Sequence, residues 1–159
     1  MKTLVLGIGN LLMQDDALGV LAAQALQQRY DFPDGVEVLD GGTLGLDLLP
    51  RLEGVDRLLI LDAIDMGEAP GSLFRLAGEE VPTAFAGKLS IHQMGVQDLL
   101  GLAQLQGHLP GELVVLGVQP GCIEMGMELT ASVGKSFEAL IEGVLGELEA
   151  WGVALAVPA

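Results

Sequence analysis

The chain has 159 residues, of which 50% are hydrophobic and 18% are charged, a composition that excludes intrinsic disorder. The length is that of one domain, which we expect to span residues 1–159. The formal net charge is −15, from 7 basic and 22 acidic residues, which makes nucleic acid and anionic membrane surfaces poor partners.

Targeting signals and disulfides are not expected in this chain. No apolar run reaches 18 residues, so we expect no transmembrane helix. The apolar start ends at glycines with no cleavage site after it, so we interpret it as a buried strand rather than a signal peptide. Cys122 is the only cysteine and fits a reducing compartment. We therefore expect a cytoplasmic protein, and a monomer, since the sequence reveals no apolar surface patch.

Strand-like and helix-like segments alternate along the chain. Short apolar runs typical of buried strands lie at residues 3–8, 36–39, 57–62 and 112–118, with a shorter edge strand at 71–76. Helices are predicted at residues 17–30, 46–52, 93–106 and 132–151. This alternation predicts an α/β fold with three layers, α/β/α, around a mostly parallel twisted sheet of about five strands. Ligand sites in such folds lie beyond the carboxyl ends of the strands.

The first predicted strand ends in a Gly-x-Gly sequence at residues 7–9, which opens like a dinucleotide-binding fingerprint. Leu12, however, stands where the third glycine of that fingerprint is expected. Asp15 and Asp16 follow at the start of a helix, where like charge would repel a pyrophosphate, so we expect no bound nucleotide. The two residues are equally well placed to act as helix caps, a common role for Asp.

Other candidate residues follow later strands. Asp62 comes directly after buried aliphatic residues and should point into the crevice, while Asp40, after the second strand, suits a turn cap or a supporting role. His92 precedes a helix; His108 lies in a predicted surface loop and is assigned no role. Together Asp16, Asp62 and His92 form a donor set for a first-row divalent metal with an open position for water or substrate. Each alone is also consistent with a local structural role.

The sequence lacks residues or motifs that other catalytic mechanisms require. The sequence contains neither a Gly-x-Ser-x-Gly elbow nor a phosphate-binding P-loop motif. Cys122 would need His92 as a base to act as a thiol nucleophile, and nothing in the sequence places the two side chains together.

Five motifs lie between residues 7 and 120. They read Gly-Ile-Gly-Asn-Leu-Leu-Met-Gln-Asp-Asp-Ala-Leu-Gly-Val at 7–20, Asp-Gly-Gly-Thr at 40–43, Leu-Asp-Ala at 61–63, His-Gln-Met-Gly at 92–95 and Gly-Val-Gln-Pro at 117–120. In order and spacing they resemble the motifs of the maturation endopeptidases of nickel–iron hydrogenases. The first motif, combined with the Asp and the His, makes the resemblance fairly specific.

The resemblance implies a nickel-dependent processing endopeptidase, a peptide-bond hydrolase. Such an enzyme removes a C-terminal extension from the hydrogenase large-subunit precursor after nickel has been inserted. The resemblance assigns metal contact and catalysis to Asp16, Asp62 and His92. Nickel would be supplied by the precursor, which is the expected partner. Two roles stay open: nickel could polarise the scissile carbonyl, or a carboxylate could activate the water.

Two further hypotheses use the same features. A non-catalytic metal-sensing or metal-delivery protein would use the same crevice, and would release no peptide. A nucleotide-binding module would use the glycines at positions 7 and 9, but Leu12 and the neighbouring pair of carboxylates oppose it.

Overall fold

One five-stranded sheet forms the centre of the computed structural model, which describes residues 1–42, 48–78, 80–81, 107 and 110–155. Its strands are β1 (Thr3–Ile8), β2 (Val36–Gly42), β3 (Arg57–Ala63), β4 (Leu73–Ala77) and β5 (Glu112–Val118). They lie in the order β2-β1-β3-β5-β4, and all are parallel except β4, which pairs antiparallel with β5. The predicted α/β class and mostly parallel sheet are confirmed.

The helices of the described residues lie close to their predicted positions. A 3₁₀ helix (Gln14–Ala17) leads into α1 (Leu18–Arg29), followed later by the short α2 (Leu49–Leu52) and the long α3 (Ala131–Ala150). The helix predicted at residues 93–106 lies outside the described residues. None of the helices in the described ranges is long and apolar enough to cross a membrane.

The sheet separates two hydrophobic clusters. Leu58 and Ile60 of β3 face one cluster, while Leu59 and Leu61 face the other, as the alternation of side chains along a strand requires. Helices α1 and α3 cover the second cluster, and Leu52 of α2 packs into the first. The three central strands β1, β3 and β5 are therefore buried on both faces, which explains their continuous apolar runs.

Strand β1 marks the point where the strand order changes direction. From β1 the chain passes to β2 on one side, and later returns to β3 on the other side. In α/β sheets the crevice at such a point, beyond the carboxyl ends of the strands, is the usual ligand site. In this protein it lies between the ends of β1 and β3, whose residues Gly7 and Leu61 are paired in register.

Three glycines allow the 3₁₀ helix and α1 to lie directly against these strand ends. A side-chain carbon on Gly19 would overlap the carbonyl oxygen of Leu61, and one on Gly7 would overlap the carbonyl oxygen of Gly19. Gly9 has a φ of +147° and would overlap the carbonyl oxygen of Asp16. The Gly-x-Gly sequence is thus accounted for by close packing of backbone segments within the chain.

Candidate functional site

The carboxyl ends of β1 and β5 lead into two loops that pair with each other. We call residues 9–13 the β1 loop and residues 119–130 the β5 loop. Met13 and Gly126 form a parallel bridge, in which the Gln14 amide donates to the Gly126 carbonyl (2.9 Å) and the Gly126 amide donates to the Leu12 carbonyl (2.8 Å). These bonds give a defined position to the chain that leads into the 3₁₀ helix.

Asp16 lies within this 3₁₀ helix, which packs against β3. Its side chain is only 4% exposed, and its Oδ2 accepts a hydrogen bond from the backbone amide of Asn10 (3.1 Å). The β1 loop therefore fixes one side of the carboxylate. Since Gly9 and Gly19 bring this segment against the strand ends, Asp16 is held at the crevice predicted from the topology.

Asp62 occupies the penultimate position of β3 and is fully buried, with 0% of its surface exposed. Its preceding residue, Leu61, pairs with β1, and Asp62 itself pairs with Gly117 of β5. Carboxylates are rarely buried to this extent. The structure thus places Asp62 near the carboxyl end of β3 and Asp16 in the 3₁₀ helix that packs against this strand.

The third predicted ligand, His92, lies outside the described residues, as does His108. Within the part of the chain that is described, no three His, Cys, Asp or Glu side chains are grouped as a metal site. The carboxylate pair supplies oxygen donors that suit a divalent cation, or a base for activating water.

Asp15 has a structural role that the sequence did not reveal. Its Oδ1 accepts a hydrogen bond from the Thr130 amide (2.7 Å). Its Oδ2 accepts bonds from the amides of Gly121 (2.7 Å) and Cys122 (3.0 Å) and from the Thr130 hydroxyl (2.8 Å). Burial is the largest single influence and raises the pKa of Asp15, but the four hydrogen bonds together outweigh it and leave the pKa below its usual value. An ionised Asp15 thus joins both halves of the β5 loop to the 3₁₀ helix.

The prediction that Asp15 and Asp16 cap the first helix is wrong. The N-cap of α1 is Ala17, and neither the 3₁₀ helix nor α1 begins with a side-chain capping bond. Both carboxylates lie inside the 3₁₀ helix and are buried, because that extra turn starts the helical segment before α1. Their side chains therefore serve the loops and the strand ends rather than the helix start.

Gln119 is a second supporting residue that the sequence analysis missed. It is buried directly after β5, and its Oε1 accepts hydrogen bonds from the amides of Met66 (2.7 Å) and Glu68 (3.2 Å). Its Nε2 donates to Oδ1 of Asp65 (3.0 Å). The segment that follows Asp62 in the chain is thereby tied to the end of β5. A polar residue directly after a buried strand was the available signal.

Asp40 has the supporting role considered for it. Its Oδ1 accepts a hydrogen bond from the Gly42 amide (3.1 Å), and its Oδ2 accepts one from Nε2 of Gln24 in α1 (3.0 Å). The residue therefore stabilises a turn and joins the end of β2 to α1.

Cys122 is poorly suited to nucleophilic catalysis. Burial raises the pKa of its thiol, and the nearby carboxylates of Glu124 and Asp15 raise it further. The reactive form of a cysteine is the thiolate, which this environment disfavours.

Comparisons with known proteins agree on one family. A family model described as hydrogenase maturation protease matches residues 20–147. The chain is 44% identical over 154 residues to a hydrogenase 2 maturation protease of Escherichia coli (strain K12), covering 96% of this chain and 94% of that protein. It is 41% identical over 155 residues to the hydrogenase expression/formation protein HupD of Rhodobacter capsulatus, covering 96% and 73%.

Solved structures give the same result. The hydrogenase maturating endopeptidase HybD from Escherichia coli superposes with a TM-score of 0.94 at 43% identity, covering 99% of this chain and 98% of that one. The [NiFe] hydrogenase maturation protease HybD from Thermococcus kodakarensis has a TM-score of 0.77 at 31% identity, covering 92% and 98%.

Proposed function

Because the chain belongs to the hydrogenase maturation protease family, we propose that it removes the C-terminal extension of a nickel–iron hydrogenase large-subunit precursor after nickel insertion. The observation that carries the proposal is the pair of buried carboxylates Asp16 and Asp62. Asp62 lies near the carboxyl end of β3, and Asp16 lies in the 3₁₀ helix that follows β1 and packs against β3. The family supplies the reaction class, and this pair supplies polar groups at the crevice where such a fold binds its ligands.

Nickel belongs to the substrate in this proposal. The precursor carries it, and Asp16, Asp62 and His92 contact it, since carboxylate oxygens and an imidazole nitrogen are suitable ligands for a first-row divalent ion. A precursor without nickel presents no cation to these groups and is therefore not held for cleavage. A divalent ion near the scissile carbonyl would supply Lewis-acid polarisation.

The chain's own groups provide proton transfer and positioning. One carboxylate of the pair accepts a proton from the attacking water, whose oxygen adds to the scissile carbonyl carbon. The proton then passes to the leaving nitrogen as the peptide bond breaks. The hydrogen bond from Asn10 to Asp16, and the bonds from the β5 loop to Asp15, hold the 3₁₀ helix while this occurs.

The single cysteine supports a cytoplasmic location for this reaction. We also propose that the enzyme acts as a monomer.

The test uses the purified full-length chain with nickel-loaded and nickel-free precursor, and follows the intact mass of the large subunit. We expect the wild type to shorten only the loaded precursor. Asp16→Asn, Asp62→Asn and His92→Ala should each slow cleavage by about 100-fold or more, the range typical of lost acid–base groups. The matched control is Asp34→Asn. Asp34 is an exposed residue just before β2, at the amino end of the strands and so away from the crevice.

Two results would contradict parts of the proposal. If nickel-free and nickel-loaded precursors were cleaved equally well, nickel recognition would be ruled out, but the protease activity would still be supported. Binding of the loaded precursor with no release of peptide would favour the metal-sensing or metal-delivery hypothesis. Thermal unfolding of each variant shows whether a loss of rate reflects a loss of fold.

A further inference from the structure

Exposed apolar side chains are concentrated on the two paired loops. Met125 and Met127 are 88% and 75% exposed, and the remaining members of the group are Leu11, Leu12 and Ile123. Outside these loops, the large exposed apolar side chains of the described residues are Met1 and Leu73. Apolar groups gathered in this way on a protein surface mark an interaction site. We call these five residues of the β1 and β5 loops the loop patch.

The loop patch is held in its exposed position by the backbone. The bridge between Met13 and Gly126 joins the two loops, and the Asp15 carboxylate fixes the β5 loop at Gly121, Cys122 and Thr130. Because these bonds fix the loops, the patch cannot be buried by a simple collapse onto the core. Its side chains remain available to a partner.

The charge around the loop patch defines the chemistry of that partner. Glu124 and Glu128 flank the two methionines and are exposed, and neither loop contains a Lys or Arg. The whole chain carries −15. An apolar segment that also carries Lys or Arg matches this surface, whereas a second copy of the chain or an anionic membrane would bring like charge against it.

The position of the loop patch connects it with the proposed reaction. The β1 loop ends at Met13, and Asp16 follows in the adjoining 3₁₀ helix. The loop patch therefore adjoins the segment of chain that carries Asp16. Methionine is flexible and polarisable, and suits a surface that must adapt to an extended peptide.

We propose that the loop patch is the docking surface for the part of the large-subunit precursor next to the scissile bond, an apolar segment bearing Lys or Arg. This inference rests on the proposed function, since it names the segment that the same site engages. Docking there places the scissile bond near Asp16 and Asp62, and contributes to binding rather than to the chemical step.

The test compares three variants of the full-length enzyme with the wild type on nickel-loaded precursor. In Met125→Gln/Met127→Gln, KM and the Kd for the precursor should rise about tenfold, with kcat within about twofold of the wild type, since loss of one well-packed contact typically weakens binding by this much. Leu73→Gln, an exposed leucine of β4 outside the two loops, should leave KM, Kd and kcat unchanged. Glu124→Gln/Glu128→Gln should raise KM and reduce its dependence on salt.

An unchanged KM and Kd in the methionine variant would overturn the inference, as would an equal rise in Leu73→Gln. Dimers of the wild type that disappear in the methionine variant, observed by sedimentation, would assign the surface to a second copy instead. Failure of the wild type to cleave any loaded precursor would eliminate the proposed function alone. The comparison of Kd between the wild type and the methionine variant would still test the docking surface, because binding does not require cleavage.

Discussion

Two adjacent buried aspartates in the 3₁₀ helix, Asp15 and Asp16, have different surroundings. Asp15 receives four hydrogen bonds from the β5 loop, which stabilise its negative charge within the protein. Asp16 lies at the crevice between β1 and β3, with Asn10 as its backbone donor. A carboxylate that organises the loops thus stands next to one that we assign to the substrate.

The lowered pKa of Asp15 predicts an acid-dependent contribution to stability. Because the folded state lowers this pKa, the ionised carboxylate stabilises the fold fully above its unfolded value of about 3.9. That contribution is lost as the pH falls through the lower value of the folded state. Asp15→Asn should reduce the free energy of unfolding by about 2–4 kcal/mol at pH 7, since its amide group would face backbone N–H donors.

Urea unfolding at pH 7, 4.5 and 3 measures this effect as the difference between wild type and variant. The difference should be large at pH 7 and shrink as the pH falls below about 3.9, because the unfolded chain then takes up a proton at Asp15 while the folded carboxylate stays ionised to a lower pH. Asp34→Asn replaces an exposed carboxylate and should change the free energy of unfolding little at any pH. A difference that stays constant down to pH 3 would contradict the assigned role of Asp15.

The placement of Asp62 and Asp16 near the carboxyl ends of the strands was predictable, because Asp62 ends the apolar run of β3 and Asp16 follows the loop after β1. The sequence could not reveal the role of Asp15, whose hydrogen-bond donors lie 106 to 115 residues further along the chain. The helix-cap interpretation used only neighbouring residues, and therefore failed. The participation of Asp16, Asp62 and His92 in metal contact and catalysis stays a prediction.

At the scale of elements, burial decided which boundaries were predictable. Strands β1 and β5 begin and end where predicted, because they are buried on both faces and their apolar runs stop abruptly. Strand β4 begins at Leu73, two residues later than predicted, since its start is set by pairing with Val118 of β5. The 3₁₀ turn before α1 was not predicted, because it depends on tertiary bonds to the β5 loop.

The close approach of α1 to the sheet gives a prediction for two glycines in helices. In Gly19→Ala the new methyl group would overlap the carbonyl oxygens of Leu61 and Ile8, so α1 must move away from the strands. We expect a loss of about 1–3 kcal/mol in the free energy of unfolding. Gly146 of α3 has nothing within 4 Å of the equivalent position, so Gly146→Ala should stabilise the protein by about 0.5–1 kcal/mol.

Chemical unfolding and precursor processing distinguish the two variants. A displaced α1 also shifts the 3₁₀ helix that carries Asp16, so Gly19→Ala should process the precursor more slowly, and Gly146→Ala at the wild-type rate. A neutral or stabilising effect of Gly19→Ala would show that α1 does not depend on this contact.

At the scale of the whole molecule, excess negative charge opposes the fold and favours its proposed partner. Three of the seven basic residues form described surface ion pairs, Arg29–Glu138, Arg51–Glu37 and Arg75–Glu147. Even if every basic residue paired with one acid, the net charge of −15 would leave most carboxylates without a compensating cation. The resulting repulsion is screened by salt, since the Debye length falls from about 30 Å at 0.01 M to about 8 Å at 0.15 M.

One charge distribution therefore predicts two opposite responses to NaCl. Raising NaCl from 0.01 to 0.15 M at pH 7 should increase stability by on the order of 1 kcal/mol, or about 2–4 °C in Tm, because repulsion within the fold is screened. The same change should raise KM for the precursor, because attraction between the acidic surface and a basic segment is screened as well. Thermal unfolding near pH 4, where carboxylates become protonated, is the control and should depend much less on NaCl. A KM that falls with salt while Tm rises would show that the precursor meets the enzyme through apolar contacts, and not through the acidic residues around the loop patch.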